Sequence, residues 1–198
     1  MPGLPEKARE TLFRVARITI ETWLTQRKRV HQTDFLPVDP LLMEERASFV
    51  TLTIHGKLRG CVGSIVPYQP LLLDVSQNAF HAAFEDTRFL PLSREEWKLT
   101  DIEISLLTVP VEIHVSTWEE LLEQLHPGID GVIINHNGYQ ATFLPQVWES
   151  LPEKHEFMEA LCQKAGLSRF AYKTETPRMS FYLYQVEILE ETKRPSPQ

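Results

Sequence analysis

SFVTLTIHGKLRGCVGS, residues 48–64, is the stretch that decides how the chain folds. From Ser48 to Ile54, apolar Val50, Leu52 and Ile54 alternate with Thr51 and Thr53, the period of a strand buried on one side. His55-Gly56 is a turn, and Lys57 to Val62 returns as its hairpin partner. A second hairpin follows the same logic: Gly131 to Asn135 and Tyr139 to Phe143 are apolar runs parted by His136-Asn137-Gly138, and Asn-Gly is a strong two-residue turn signal. Tight turns of this kind join strands antiparallel.

The remaining segments read outward from these hairpins. Pro5 to Gln26 carries an apolar stripe of Ala8, Leu12, Val15, Ala16, Ile20 and Trp23, the spacing of an amphipathic helix. Pro70 to Phe84 is a helix with Leu72, Val75, Ala79, Ala82 and Ala83 inward, followed by a loop to Arg94. Leu99 to Leu107 alternates Ile102, Ile104 and Leu106 against Asp101, Glu103 and Ser105, and Val109 to Val115 continues as strand. Ser116-Thr-Trp-Glu119 fits a capping box opening a helix to about Leu125. Glu153 to Ala165 is a helix capped by Gly166, and Ser180 to Leu189 is one final strand. The order αββαββαββαβ, with hairpins rather than crossovers, predicts an α+β fold: a mainly antiparallel sheet with flanking helices.

A length of 198 residues suits one domain, or two small lobes sharing a core. The polar, proline-bearing end, residues 190–198, is expected to be loose. A net charge of −7 argues against a nucleic-acid backbone as partner, and the aromatic run Phe181, Tyr182 and Tyr184 has only Arg178 as a basic neighbour. No stretch has the length and apolarity of a membrane span or a signal peptide, so the expectation is a cytoplasmic protein, and its two cysteines need not pair.

Cys61 is the first candidate for chemistry. It stands between Gly60 and Gly63 and two residues after Arg59, whose guanidinium favours thiolate, the reactive form. Backbone N–H groups around glycines can form an anion-binding nest, extended here by Ser64. The alternative is a small buried hydrophobe in a tight hairpin. Glu103 either lines a pocket beside Cys61 or faces solvent, and His55 reaches the thiol only if the turn carries it there. Asp86 and Arg88 either bind substrate or tie down their loop. His81 and Glu85 are four apart on the helix and could share a metal, but a surface hydrogen bond is the commoner role of such a pair, and no metal or other cofactor is expected.

Leu58-Arg-Gly-Cys-Val-Gly-Ser64 resembles the LRGCIG signature of the AMMECR family, called AmmeMemoRadiSam system protein A in prokaryotes. Glu85-Asp-Thr-Arg-Phe89 is similar to that family's DPRF segment, Ile102 to Leu106 to its IEISVL strand, Phe143 to Val147 to FLPQV, and Lys164 to Leu167 to KAGL. Val62 stands for Ile, and Thr87 replaces the proline of DPRF, removing a fixed φ while keeping Asp86 and Arg88. The resemblance implies a single AMMECR-type domain over residues 1–198, with two unequal lobes, and a pathway shared with Memo-type and radical SAM proteins. It implies Arg59, Gly60, Cys61 and Gly63 as a candidate site with Asp86, Arg88 and Glu103 beside it, and assigns them no roles.

Two functions remain open on the sequence. One is an enzyme acting through Cys61 on a small anionic or peptide substrate, with Glu103 or His55 moving protons and Arg59, Gly60, Gly63, Ser64, Asp86 and Arg88 binding it. The other is a binding or adaptor module for a partner protein or modified peptide, in which Cys61 only packs.

Overall fold

A computed structural model describes residues 4–191. Residues 192–198, most of the tail expected to be loose, lie outside the described residues. The chain divides into two compact units, Met1–Leu106 with Glu187–Gln198, and Leu107–Val186. Each contains one four-stranded sheet.

In the first unit, α1 (Glu6–Gln26) and α2 (Leu71–Phe84) pack against a sheet of order β2-β1-β3-β8, built from β1 (Ser48–Ile54), β2 (Lys57–Gly63), β3 (Thr100–Leu107) and β8 (Val186–Glu190). The alternating residues land as their parity demands: Val50, Leu52, Ile102, Ile104 and Leu106 are buried against Leu12, Val15, Ala16 and Ile20 of α1 and Leu72, Val75 and Ala79 of α2. The β1–β2 turn places His55 at φ 51° and Gly56 at φ 73°, both in the left-handed region that a tight hairpin uses. The loop expected after α2 runs to Ser93, and a short helix α3 (Arg94–Trp97) follows it, opened by a capping box between Ser93 and Glu96.

The second unit orders its strands β4-β7-β5-β6, all antiparallel, from β4 (Val111–Ile113), β5 (Gly131–His136), β6 (Tyr139–Phe143) and β7 (Ser180–Tyr184). The helices are α4 (Trp118–Gln124), α5 (Lys154–Lys164) and α6 (Ala171–Thr174). Their core joins Val132, Ile134 and Phe181 to Leu161, Cys162 and Phe157, whose ring stacks on Trp148 at 3.7 Å.

The antiparallel strands are shared between two sheets. Two expectations are corrected. The final strand is broken at Gln185, whose carbonyl accepts from the Thr108 amide and whose amide donates to the Thr108 hydroxyl, so Ser180–Tyr184 and Val186–Glu190 join different sheets. The capping box before α4 sits one residue later: Thr117 is the N-cap, accepting from the Glu120 amide, and the Glu120 carboxylate accepts from the Ser116 amide. Among the described residues no helix is long and apolar enough to cross a membrane.

Candidate functional site

Cys61 lies on β2, the edge strand of its sheet, and is half-buried. Its backbone shows what the neighbouring motif does. The Cys61 amide donates to Asp86 Oδ2 at 2.9 Å, and its carbonyl accepts from Arg88 Nη2 at 3.1 Å. Asp86 and Arg88 bind each other through Nε–Oδ1 (3.0 Å) and Nη2–Oδ2 (2.7 Å), and the Arg88 amide adds a bond to Oδ1 at 3.1 Å. An edge strand presents unpaired backbone groups. Here one ion pair supplies both the acceptor and the donor that a fifth strand would have offered. The Arg88 guanidinium, with the two amides, holds the buried Asp86 carboxyl far below the ordinary carboxylate range against the opposing cost of burial.

Because the Cys61 backbone groups point outward, Cys61 and its partner Thr51 form a non-hydrogen-bonded pair, the kind that brings side chains closest. Thr51 Oγ1 donates to Cys61 Sγ at 3.4 Å. On its other side Thr51 is in register with Glu103 of β3. Cys61, Thr51 and Glu103 thus form a row across three strands, on the face opposite Val50, Leu52, Ile102 and Ile104. Burial, then the charge of Glu190, raises the Glu103 carboxyl above its ordinary value.

The other expected site residues are engaged elsewhere. Leu52 pairs with Gly60 and Thr53 with Leu58, which leaves Arg59 as the extra residue of a β-bulge. The bulge aims its guanidinium at Glu96, bidentate at 2.9 and 3.1 Å, and at the Leu90 carbonyl at 2.8 Å. Arg59 is therefore closed by an internal carboxylate rather than held open for an anion. Its pairing, with the Ser93 amide, draws the Glu96 carboxyl down to about 2. The anion nest is not formed either. Gly60 and Gly63 are strand residues, absent from the positive-φ glycines among the described residues. They are required for packing: a Cβ on Gly60 would overlap the Ala82 carbonyl oxygen of α2, and one on Gly63 would run into the Phe49 ring. Ser64 donates to Asp74 Oδ1 at 2.7 Å. Asp74 is fully buried and also accepts from the Ser48 amide and hydroxyl, Asn78 and Gln69. His55 sits at the hairpin tip, four residues along β1 from Thr51. At a strand's rise per residue that is about 13 Å from the thiol's cross-strand partner, so the turn carries the imidazole away from Cys61.

Thr51, Glu96 and Asp74 carry little signal in the sequence. Parity alone marks Thr51, on the side of the alternation opposite Val50 and Leu52. Ser93-Arg-Glu-Glu96 signals Glu96 locally, but not as the partner of Arg59. Asp74 is a carboxylate within an apolar helix, with no local sign of its five donors. Among the described residues no group of three His, Cys, Asp or Glu side chains is arranged to hold a metal ion, and the expected His81–Glu85 neighbours are 3.4 Å apart with Glu85 also paired to Arg29.

The model of the AMMECR1 family matches residues 13–189. The chain belongs to the AMMECR1 family. It is 36% identical to protein Ta0236 of Thermoplasma acidophilum, over 84% of this chain and 80% of that protein. It is 34% identical to protein PF1979 of Pyrococcus furiosus, over 92% and 87% respectively. Its fold is similar to the crystal structure of the uncharacterised protein PH0010 of Pyrococcus horikoshii, with a TM-score of 0.82 at 31% identity, covering 93% of this chain and 92% of that one. As an AMMECR1-family member the chain is α+β, with antiparallel sheets, as its hairpins predicted.

Proposed function

We propose that this AMMECR1-family protein acts through the Cys61 thiol on a small anionic or peptide substrate, in a pathway shared with Memo-type and radical SAM proteins. The observation that carries the reading is the cross-strand row of Cys61, Thr51 and Glu103. Cys61 is the nucleophile and Glu103 takes its proton, a task suited to a carboxyl whose affinity for protons burial has raised. In such a step the sulfur bonds to an electrophilic carbon of the substrate, the bond to the leaving group breaks, and the proton held by Glu103 passes to that group. The anion contact falls to Arg88, whose side chain is 55% exposed, rather than to Arg59, whose side chain is 11% exposed. The pathway assignment is supported by the run of family-like segments from Leu58 to Leu167.

The test compares the metabolite profile of a strain lacking the gene with strains carrying wild-type, C61S or E103Q protein. Wild-type protein is expected to restore the profile. C61S and E103Q, folded and still co-purifying with the Memo-type and radical SAM proteins, are expected not to. Full restoration by C61S rejects the thiol reading.

A second reading, a binding module for a partner protein or modified peptide, is supported by one observation: the Arg88 side chain of the clamp is 55% exposed. On that reading C61S keeps full function, and R88A, which opens the outer face of the clamp, loses partner binding.

A further inference from the structure

We propose that Thr51 is the positioning residue of the Cys61 thiol, holding the sulfur through its hydroxyl and standing between it and Glu103. The inference deepens the thiol reading above and rests on it.

Three features make this arrangement more than proximity. Cys61 and Thr51 occupy a non-hydrogen-bonded cross-strand position, where opposed side chains touch, and Thr51 Oγ1 donates to Sγ at 3.4 Å. The Thr51 side chain is β-branched, so few rotamers are open to it and its hydroxyl direction is restricted. The Cys61 backbone is gripped on both its amide and its carbonyl by Asp86 and Arg88, which fixes the Cα from which the sulfur projects. On the far side of Thr51, register places Glu103. Thr51 therefore stands in register between the thiol on β2 and the carboxyl on β3, with its hydroxyl committed to the sulfur. The charged groups around the row are Arg88 and Asp86 from the segment after α2, Glu103 from β3 and, beyond Glu103, Glu190 from β8.

A hydroxyl donating to sulfur favours thiolate over thiol, because a hydrogen bond to an ion is stronger than one to a neutral group. Valine keeps the branched shape of threonine and removes the donor, alanine removes donor and bulk, and serine keeps the donor. The experiment measures the rate of Cys61 alkylation by iodoacetamide against pH, by peptide mass spectrometry, alongside a titration of ultraviolet thiolate absorbance. Burial pushes the Cys162 thiol up to about 11, so it stays silent in both measurements near neutrality.

Thr51→Val and Thr51→Ala are expected to move the rate–pH curve toward alkaline. At neutral pH both should slow Cys61 alkylation roughly threefold, less than the thiolate loss alone because nucleophilicity rises with basicity. Thr51→Ser is expected to follow wild type. The proposal is overturned if the two donor-less variants superimpose on wild type, or if the serine variant follows them. The thiol reading fails differently: wild-type Cys61 then resists iodoacetamide in the folded protein, while the absorbance titration still reports whether the hydroxyl acts on the sulfur.

Discussion

The carboxylate of Asp86 accepts the amide hydrogen of Cys61 at 2.9 Å, and so a loop residue completes the hydrogen bonding of an edge strand. Its partner Arg88 does the same for the carbonyl of the same residue. Removing Asp86 leaves a strand amide and a guanidinium without their acceptor. Asp86→Ala is expected to cost about 2–3 kcal/mol in chemical denaturation, the range for orphaned groups hydrogen-bonded to a charge. Arg88→Ala is expected to cost less, since its side chain is half exposed and water can replace part of the contact. Amide exchange at Cys61 should accelerate in both. Unchanged exchange there in Asp86→Ala would refute the edge-capping role.

The acid response follows from the same carboxylates. Asp86 and Glu96 both have folded-state pKa values depressed below the ordinary range, by Arg88 and Arg59 first. Their contribution to stability is thus present above the ordinary carboxylate range and is lost as pH falls through the folded values. For Glu96 that window runs from 4.5 down to about 2; for Asp86 it extends lower. Melting curves of Glu96→Gln across this window should lose less stability on acidification than wild type. Parallel curves would show that the Arg59–Glu96 pair carries no pH-linked stability.

Glu103 has the opposite sign. Its carboxyl is raised, by burial first and then by Glu190, so the folded state favours the proton. Stability linked to it is fully present below 4.5 and is lost as pH rises through the folded value. Glu103→Gln is accordingly expected to raise the melting temperature at neutral pH, with the gain vanishing under acid, while abolishing function. A variant that is less stable than wild type at neutral pH would show that the carboxylate serves the fold rather than the site.

Two glycines of the signature differ in what a methyl group would meet. At Gly60 it is the Ala82 carbonyl in the backbone of α2; at Gly63 it is the ring of Phe49, a side chain that can turn. Gly60→Ala is expected to cost about 3 kcal/mol and Gly63→Ala about 1 kcal/mol, the upper and lower ends of the cost of overpacking. Urea denaturation of the two variants checks the order; the reverse order would mean that α2 yields more easily than the Phe49 ring.

The expectation that Gly60 and Gly63 form an anion nest failed for a reason that these variants expose. A glycine read from sequence signals conformational freedom or close approach, and only the neighbour tells which. The same holds for Arg59. Its partner Glu96 lies 37 residues away, and the bulge that turns its side chain outward comes from a register shift between β1 and β2 that no residue in the hairpin announces. His55 stands away from Cys61 because a hairpin turn brings strands together side by side, whereas the tip lies at their end. The final strand looks continuous in sequence because Phe181 to Leu189 stays rich in β-forming residues; Thr108, distant in sequence, holds Gln185 at the break.

What the amino acids determined alone was local and periodic. Two-residue alternation in Val50-Thr51-Leu52 and Ile102-Glu103-Ile104, the 3.6-residue stripe of Leu12, Val15, Ala16 and Ile20, and the turns at His55-Gly56 and Asn137-Gly138 specified strands, helices and antiparallel hairpins, because side-chain direction along one element depends only on its own geometry. Tertiary structure decided which charges meet. Asp86 with the Cys61 amide, Arg59 with Glu96 and Ser64 with Asp74 are set by the packing of separate segments. Hydrogen bonds between them depend on ångström distances that sequence separation does not encode.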